Sequence, residues 1–146
     1  MGKVGASLQL PYPAETVYRV ATRIEDLPRW LPEVVDAALL DPTLTVGSRV
    51  RLRMGAGAGN VEVTGTVRQL RPPSIVVIGG SAGPLSIEVR TRLDANQPGA
   101  TRVVLEIEIG SPPLLGFIAR EAERRINAEL QGALQRFRAL VEAEAA

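Results

Sequence analysis

The sequence predicts an α+β fold in which an antiparallel meander of strands packs against one long C-terminal helix. Three observations lead there. Seven segments read as short strands separated by Gly- and Pro-rich turns. Two brief stretches between the first and second of these carry helical spacing instead. From Pro112-Pro113 onward the chain holds no further proline and is rich in Ala, Leu, Glu, Arg and Gln, the residues that favour a helix.

Residues 3–10 place Val4, Ala6, Leu8 and Leu10 on one side and Lys3, Gly5, Ser7 and Gln9 on the other, the alternation of a half-buried strand. PAETVYRVATRI, residues 13–24, opens on Pro13, which the first turn of a helix tolerates. It then repeats Val17, Val20, Ala21 and Ile24 at helical steps. Asp26 is placed to cap a second short helix, with Leu27, Trp30 and Leu31 on one face and Pro32 ending it. Six further strands follow over about 34–41, 47–56, 60–71, 74–80, 85–93 and 101–110. Alternation is clearest where Val50, Leu52 and Met54 oppose Arg49, Arg51 and Arg53, and where Val103, Leu105, Ile107 and Ile109 oppose Glu106 and Glu108. One face of the sheet is therefore apolar and the other charged. Ser111 before Pro112 marks the start of the last helix. Its roughly thirty residues would run about 45 Å, longer than any of the strands, so it has to lie across the sheet. The stripe Ile118, Ala122, Ile126, Leu130, Ala133, Leu134, Phe137, Leu140 and Val141 faces that sheet, while Arg120, Arg124, Gln131, Gln135 and Arg138 project elsewhere.

A length of 146 residues suits one domain spanning 1–146, and 45% hydrophobic with 23% charged residues is ordinary for a globular chain. Seventeen Lys and Arg against sixteen Asp and Glu leave a formal charge of +1, too little to gather nucleic acid or an anionic membrane. Without cysteine there are no disulfides, thiolate nucleophiles or Cys metal sites, and without histidine the usual metal ligand and general base are missing. No metal and no cofactor is expected. The N-terminal MGKVGASLQL lacks an apolar signal core, and no window approaches the ~18 apolar residues of a spanning helix, so a cytoplasmic protein without stable membrane insertion is expected.

Two motifs are read as structural. GAGAG at 55–59 lacks the Gly-Lys-Ser/Thr of a phosphate loop and joins two strands, which makes it a flexible hairpin. Arg49, Arg51 and Arg53 form a basic stripe without interleaved aromatics, and Glu62, Glu88, Glu106 and Glu108 on other strands are available to pair with it on a solvated face.

The strings PAETVYRV at 13–20, LPRWLPEV at 27–34, VGSRVRLR at 46–53, GTVRQLRPPSIVV at 65–77 and GATRVVLEIEI at 99–109, followed by the amphipathic terminal helix, come in an order that resembles the START-like superfamily. That superfamily includes Bet v 1-type proteins and polyketide cyclase/dehydrase-like (SRPBCC) domains, and the resemblance covers nearly the whole chain. It implies a helix-grip fold: a curved seven-stranded antiparallel sheet wrapped around a long C-terminal helix, with two short helices between strands 1 and 2. It also implies a class of activities: binding of lipids, hormones or polyketides, or aromatisation and cyclisation of polyketides.

The terminal stripe carries small residues early, Ala119 and Ala122, and large ones later, Leu130, Leu134, Phe137 and Leu140. Small side chains opposite a concave sheet leave volume, which places an apolar pocket beneath residues 115–127. Its expected walls are Trp30, Leu52, Val63, Val89, Leu105, Phe117, Ala119, Ala122 and Ile126. Glu123 is the one ionisable residue inside the stripe and Asn127 sits at its edge, so these are the candidate polar groups. A pairing of Glu123 with Arg120 or Arg124 at the pocket mouth is the alternative. Tyr18 and Trp30 each offer an apolar body with a polar tip, suited to a lid or to plain core. Thr91 is the one polar residue in the inward register Leu85, Ile87, Val89, Thr91, Leu93. The leading expectation is a protein that binds or carries a small hydrophobic molecule in this pocket, its oligomeric state open. A polyketide cyclase or dehydratase using Glu123, Tyr18 and Asn127 is the enzymatic alternative. A protein-interaction subunit, which would need an exposed apolar patch, is the third.

Overall fold

In the computed structural model, which describes residues 2–56 and 59–146, the period-two segments all join one antiparallel sheet. Its strands are Gly2–Leu10 (β1), Val34–Leu39 (β2), Arg49–Ala56 (β3), Gly59–Arg71 (β4), Ile75–Ala82 (β5), Leu85–Gln97 (β6) and Ala100–Gly110 (β7). The spatial order β1-β7-β6-β5-β4-β3-β2 makes β2 to β7 a meander and returns β7 to pair with β1. The two strands that come first in the chain are thus the two edges. The link between them has to cross the full width of the sheet, and the helix Ala14–Ala21 (α1) and the 3-10 helix Ile24–Arg29 carry it over one end.

Register shifts in β2, β4 and β6 bend the strands, as a bulge does. Between β4 and β5 the bend brings two glycines face to face. A Cβ on Gly65 would stand 2.6 Å from the Gly79 carbonyl oxygen, and one on Gly80 would stand 2.6 Å from that of Thr64. Only glycine lets the two backbones pass this closely. The curved sheet wraps around the helix Gly116–Ala145 (α2), which packs mainly against β1.

Two helix starts differ from the sequence expectation, both because of proline. Asp26 lies within the 3-10 helix, which begins at Ile24 and receives no side-chain cap. Pro28 has no N–H to continue an α-helical ladder, so the segment closes with the tighter bonds from Asp26 N–H to Arg23 O and from Trp30 N–H to Leu27 O. Ser111 likewise caps nothing: Pro113 lacks one of the N–H groups its hydroxyl would accept from, and a 3-10 turn at Pro113–Leu115 precedes α2.

The C-terminal half of α2 sits in the core, where Leu130, Ala133, Leu134, Phe137 and Val141 are all but completely buried. Trp30, the C-cap of the 3-10 helix, rests on Phe137 with ring centroids 4.5 Å apart at 53°. On the outer face, ion pairs join Lys3 to Glu106 at 3.4 Å, Arg49 to Asp41 at 3.0 Å and Arg51 to Glu62 at 3.9 Å. Glu88 stands opposite Glu108 instead of an arginine. Such exposed pairs are screened by solvent, add little to stability and read as a solvated face. In the β3–β4 hairpin Ala56 pairs with Gly59, and Gly57 and Ala58, the centre of the GAGAG string, lie outside the described residues. No helix among the described residues is long and apolar enough to cross a membrane.

Candidate functional site

Where α2 leaves β1 on its other flank, the sheet curls away faster than the helix side chains can follow, and a cavity of about 470 Å³ remains. From the sheet side it is walled by Met54, Val63, Leu85 and Ile87, which are inward positions close to the β3–β4 and β5–β6 hairpins. From the helix side it is walled by Phe117, Ile118, Ala122 and Ile126. At its lip Phe117 is 63% exposed, Ile118 41% and Val61 41%, so the cavity has an apolar rim open to solvent. That volume is of the size that holds a small ligand.

Four of the sequence-chosen wall residues meet here: Val63, Phe117, Ala122 and Ile126. The others stand apart from it. Leu52, Val89, Thr91 and Leu105 have the inward orientation but lie deeper along their strands, where the core is filled. Alternation tells which face a residue takes and not how far along the strand the packing is complete. Ala119 is buried and Glu123 half-buried on the flank of α2 that turns to β1. Glu123 lies over Gly2, where a Cβ would overlap its carboxylate. It is therefore neither a cavity group nor paired with Arg120 or Arg124, and Arg124 pairs with Glu121 instead. Asn127 is exposed to solvent. Trp30 is core under Phe137, its indole Nε1 buried without a partner. Tyr18 packs on the core from α1, away from the cavity, with a buried, unpartnered hydroxyl whose pKa burial raises. These corrections share one cause. The stripe on α2 is centred on β1, and the unfilled volume lies along one side of that stripe.

The ionisable groups that do reach the cavity wall are Glu33, Glu121 and Arg125. Glu33 follows Pro32 and holds a left-handed backbone, φ 63°, that a non-glycine residue adopts only under constraint. The constraint is visible: its carbonyl accepts a 2.7 Å hydrogen bond from the Gly55 N–H of β3. This turn throws the Glu33 side chain onto α2. There its Oε1 lies 3.3 Å from Arg125 Nε, an ion pair whose N–H is not aligned for a hydrogen bond. One helical turn on, Glu129 faces Glu33. Burial, and next the hydrogen bond to and charge of Glu33, raise the Glu129 pKa against the weaker opposing pull of Arg136 and Arg125. Arg136 in turn donates a 3.1 Å bond to the Trp30 carbonyl. Arg125, Glu129 and Arg136 recur at steps of four and seven on one flank of α2, and Glu33 closes over them. The helical period held a signal for this flank, but nothing in it named Glu33, which arrives from a loop. Among the described residues no group of acidic side chains is arranged to hold a metal ion.

A family model described as polyketide cyclase / dehydrase and lipid transport matches residues 1–142. None of the curated proteins matches the chain. Among solved structures, a protein of Thermus thermophilus superposes with a TM-score of 0.79 at 20% identity, covering 99% of this chain and 100% of its own. The Zhui aromatase/cyclase of a Streptomyces species superposes at 0.78 with 16% identity, covering 99% and 96%. A START superfamily protein of Mycobacterium smegmatis superposes at 0.69 with 16% identity, covering 97% of each chain. At these identities the structures establish a shared fold.

Proposed function

Because the chain belongs to the polyketide cyclase/dehydrase and lipid transport family of the START-like superfamily, we propose that it binds a small, largely apolar molecule in the cavity beside α2. The carrying observation is the cavity itself: about 470 Å³, walled by apolar side chains from five strands, β3 to β7, and the helix. In a single sequence the packing of a core has no need of such a volume. Along the rest of the helix stripe Leu130, Leu134 and Phe137 are fully buried against the sheet and the short helices, so the open volume is confined to one part of the stripe. The apolar walls supply affinity by releasing water, at about 25 cal/mol for each Å² covered. A location in the cytoplasm, as the sequence suggests, would place the protein among metabolic intermediates of this kind.

Ala122 is the residue to test. It is half-buried on the helix side of the cavity, so Ala122→Trp fills the space from a position where the fold has room. Titration with a panel of fluorescent fatty acids, sterols and aromatic polyketides is expected to show saturable binding by the wild type and none by the folded variant. Equal affinities in the two proteins would place the ligand elsewhere. A second reading, catalysis on a polyketide-like substrate, is supported by the facing of Glu33 and Arg125 at the wall, which puts a carboxylate and a guanidinium beside the bound molecule. In that reading they replace Glu123, Tyr18 and Asn127 as the groups that move a proton and hold an oxyanion.

A further inference from the structure

Arg125 is the one cation on the wall of the cavity among the described residues, and its guanidinium makes no hydrogen bond there. Its side chain is 36% exposed and its contact with Glu33 is a misaligned Nε ion pair, so the planar donor fork is left free for a better acceptor. We propose that Arg125 is the anchor for the acidic end of an otherwise apolar ligand, and that Glu33 gives up its place on Arg125 to the ligand carboxylate as the protein takes up one proton. The inference rests on the cavity being the binding site and names the class of molecule it takes.

The chemistry follows from the neighbours. A guanidinium and a carboxylate match as two parallel N–H···O bonds, stronger and more directional than one unaligned contact. An apolar chain or ring then lies along Ile126, Ala122 and Phe117, with Val63 and Ile87 opposite. Bringing a second anion to Arg125 would be unfavourable next to Glu33 alone. Glu129 removes that difficulty, since it faces Glu33 and already holds a proton more tightly than an ordinary glutamate. When the ligand arrives, Glu129 takes a proton from solvent and its O–H donates to the displaced Glu33 carboxylate. With both carboxylates ionised the cluster of Glu33, Glu129, Arg125 and Arg136 sums to zero, and one added anion with one added proton keeps that balance. The remaining charged group at the wall, Glu121, is paired with Arg124 and not with Arg125, and it does not enter the exchange. A neutral carbonyl ligand would use Arg125 without needing the second carboxylate beside it.

The test uses matched pairs: decanoate and methyl decanoate, 2-naphthoate and its methyl ester, and a longer fatty acid with its ester. Calorimetric titration in two buffers of different ionisation enthalpy reads both affinity and protons taken up. The acids are expected to bind at least about tenfold more tightly than their esters at pH 6, with uptake of about one proton per acid and none per ester. Their affinity is expected to rise by up to about tenfold for each unit the pH falls from 8 towards 6. Arg125→Gln should bring the acid-to-ester ratio to about one, and Glu129→Gln should abolish the proton uptake. Acids that bind no better than esters, or bind without proton uptake, overturn the anchor. If the esters bind and Ala122→Trp blocks them while the acids show no advantage, the cavity stands and the anchor alone falls. If no member of any pair binds, both fall together.

Discussion

The chain has two phenylalanines, and both lie on the same helix. Phe137 is fully buried against Trp30, whereas Phe117, twenty residues earlier on the same helix, is 63% exposed at the rim of the cavity. The helix is continuous between them and its apolar stripe is unbroken, so the difference comes from what lies opposite. Under Phe137 the 3-10 helix and α1 fold back and complete a three-sided box. Under Phe117 there is only the curling end of the sheet, where β3–β4 and β5–β6 turn away. One half of the element supplies stability and the other supplies a surface. The same residue type can serve either purpose according to whether the β1–β2 link passes beneath it.

Truncating each ring is the most severe way to break the comparison. Phe137→Ala removes a fully buried ring and strands the Trp30 face, which should lower stability by about 3–5 kcal/mol. Phe117→Ala removes a ring that is mostly in water and should stay within about 0.5 kcal/mol of wild type. Urea denaturation monitored by the fluorescence of the single tryptophan, Trp30, measures both. Comparable losses in the two variants would mean that the cavity half carries as much of the fold as the packed half.

Enlarging a side chain gives the complementary, smaller effect. Ala133 is fully buried, so Ala133→Leu pushes three extra carbons into filled space and is expected to cost about 1–3 kcal/mol. Ala122 is half-buried beside open volume, so Ala122→Leu should change stability by less than about 1 kcal/mol while lowering ligand affinity. Thermal unfolding of the two variants side by side separates them. An Ala122→Leu protein as unstable as Ala133→Leu would show that the space beside α2 is closed in solution.

The contrast between the halves also marks what was legible in the sequence. Strand periodicity fixed the inward faces of β3 and β7, because a shift of one residue would turn Val50 or Leu105 to water and Arg51 or Glu106 to the core. The change from Ala119 and Ala122 to Leu130 and Leu134 located the loose half of the helix, since side-chain volume is a property of the residue. The site chemistry was not legible in the same way. Glu123 and Arg125 are two residues apart on one helix, and only the lie of that helix across β1 sends the first to Gly2 and the second to the cavity. Glu33 was hidden more deeply, since its role depends on a left-handed backbone held by a β3 amide, and no local pattern requires that. The proline effects at Pro28 and Pro113 were legible in principle, being local, and were outweighed by the capping signals of Asp26 and Ser111.

The smallest expected effect is a pH dependence seated where the two halves meet. Glu129 is half-buried one turn before Ala133 and faces Glu33, which closes the flank of the packed half. Burial first, and then Glu33, raise its pKa above the ordinary value of 4.5. The folded protein therefore binds a proton at Glu129 more tightly than the unfolded chain does. Between the ordinary value and the raised one the native state carries the extra proton, so stability falls as pH rises through that window and stays reduced above it. Glutamine keeps the size and a hydrogen bond to Glu33 without the charge. Glu129→Gln should accordingly raise Tm over wild type at pH 8, with the gap narrowing as the pH falls and closing below about pH 4.5. Differential scanning calorimetry of both proteins from pH 4 to 8 reads the gap directly. The opposite slope, a variant that loses ground as pH rises, would mean that Arg125 and Arg136 dominate Glu129. The cluster would then be a set of satisfied ion pairs, with no carboxylate ready to take a proton when an acidic ligand reaches Arg125.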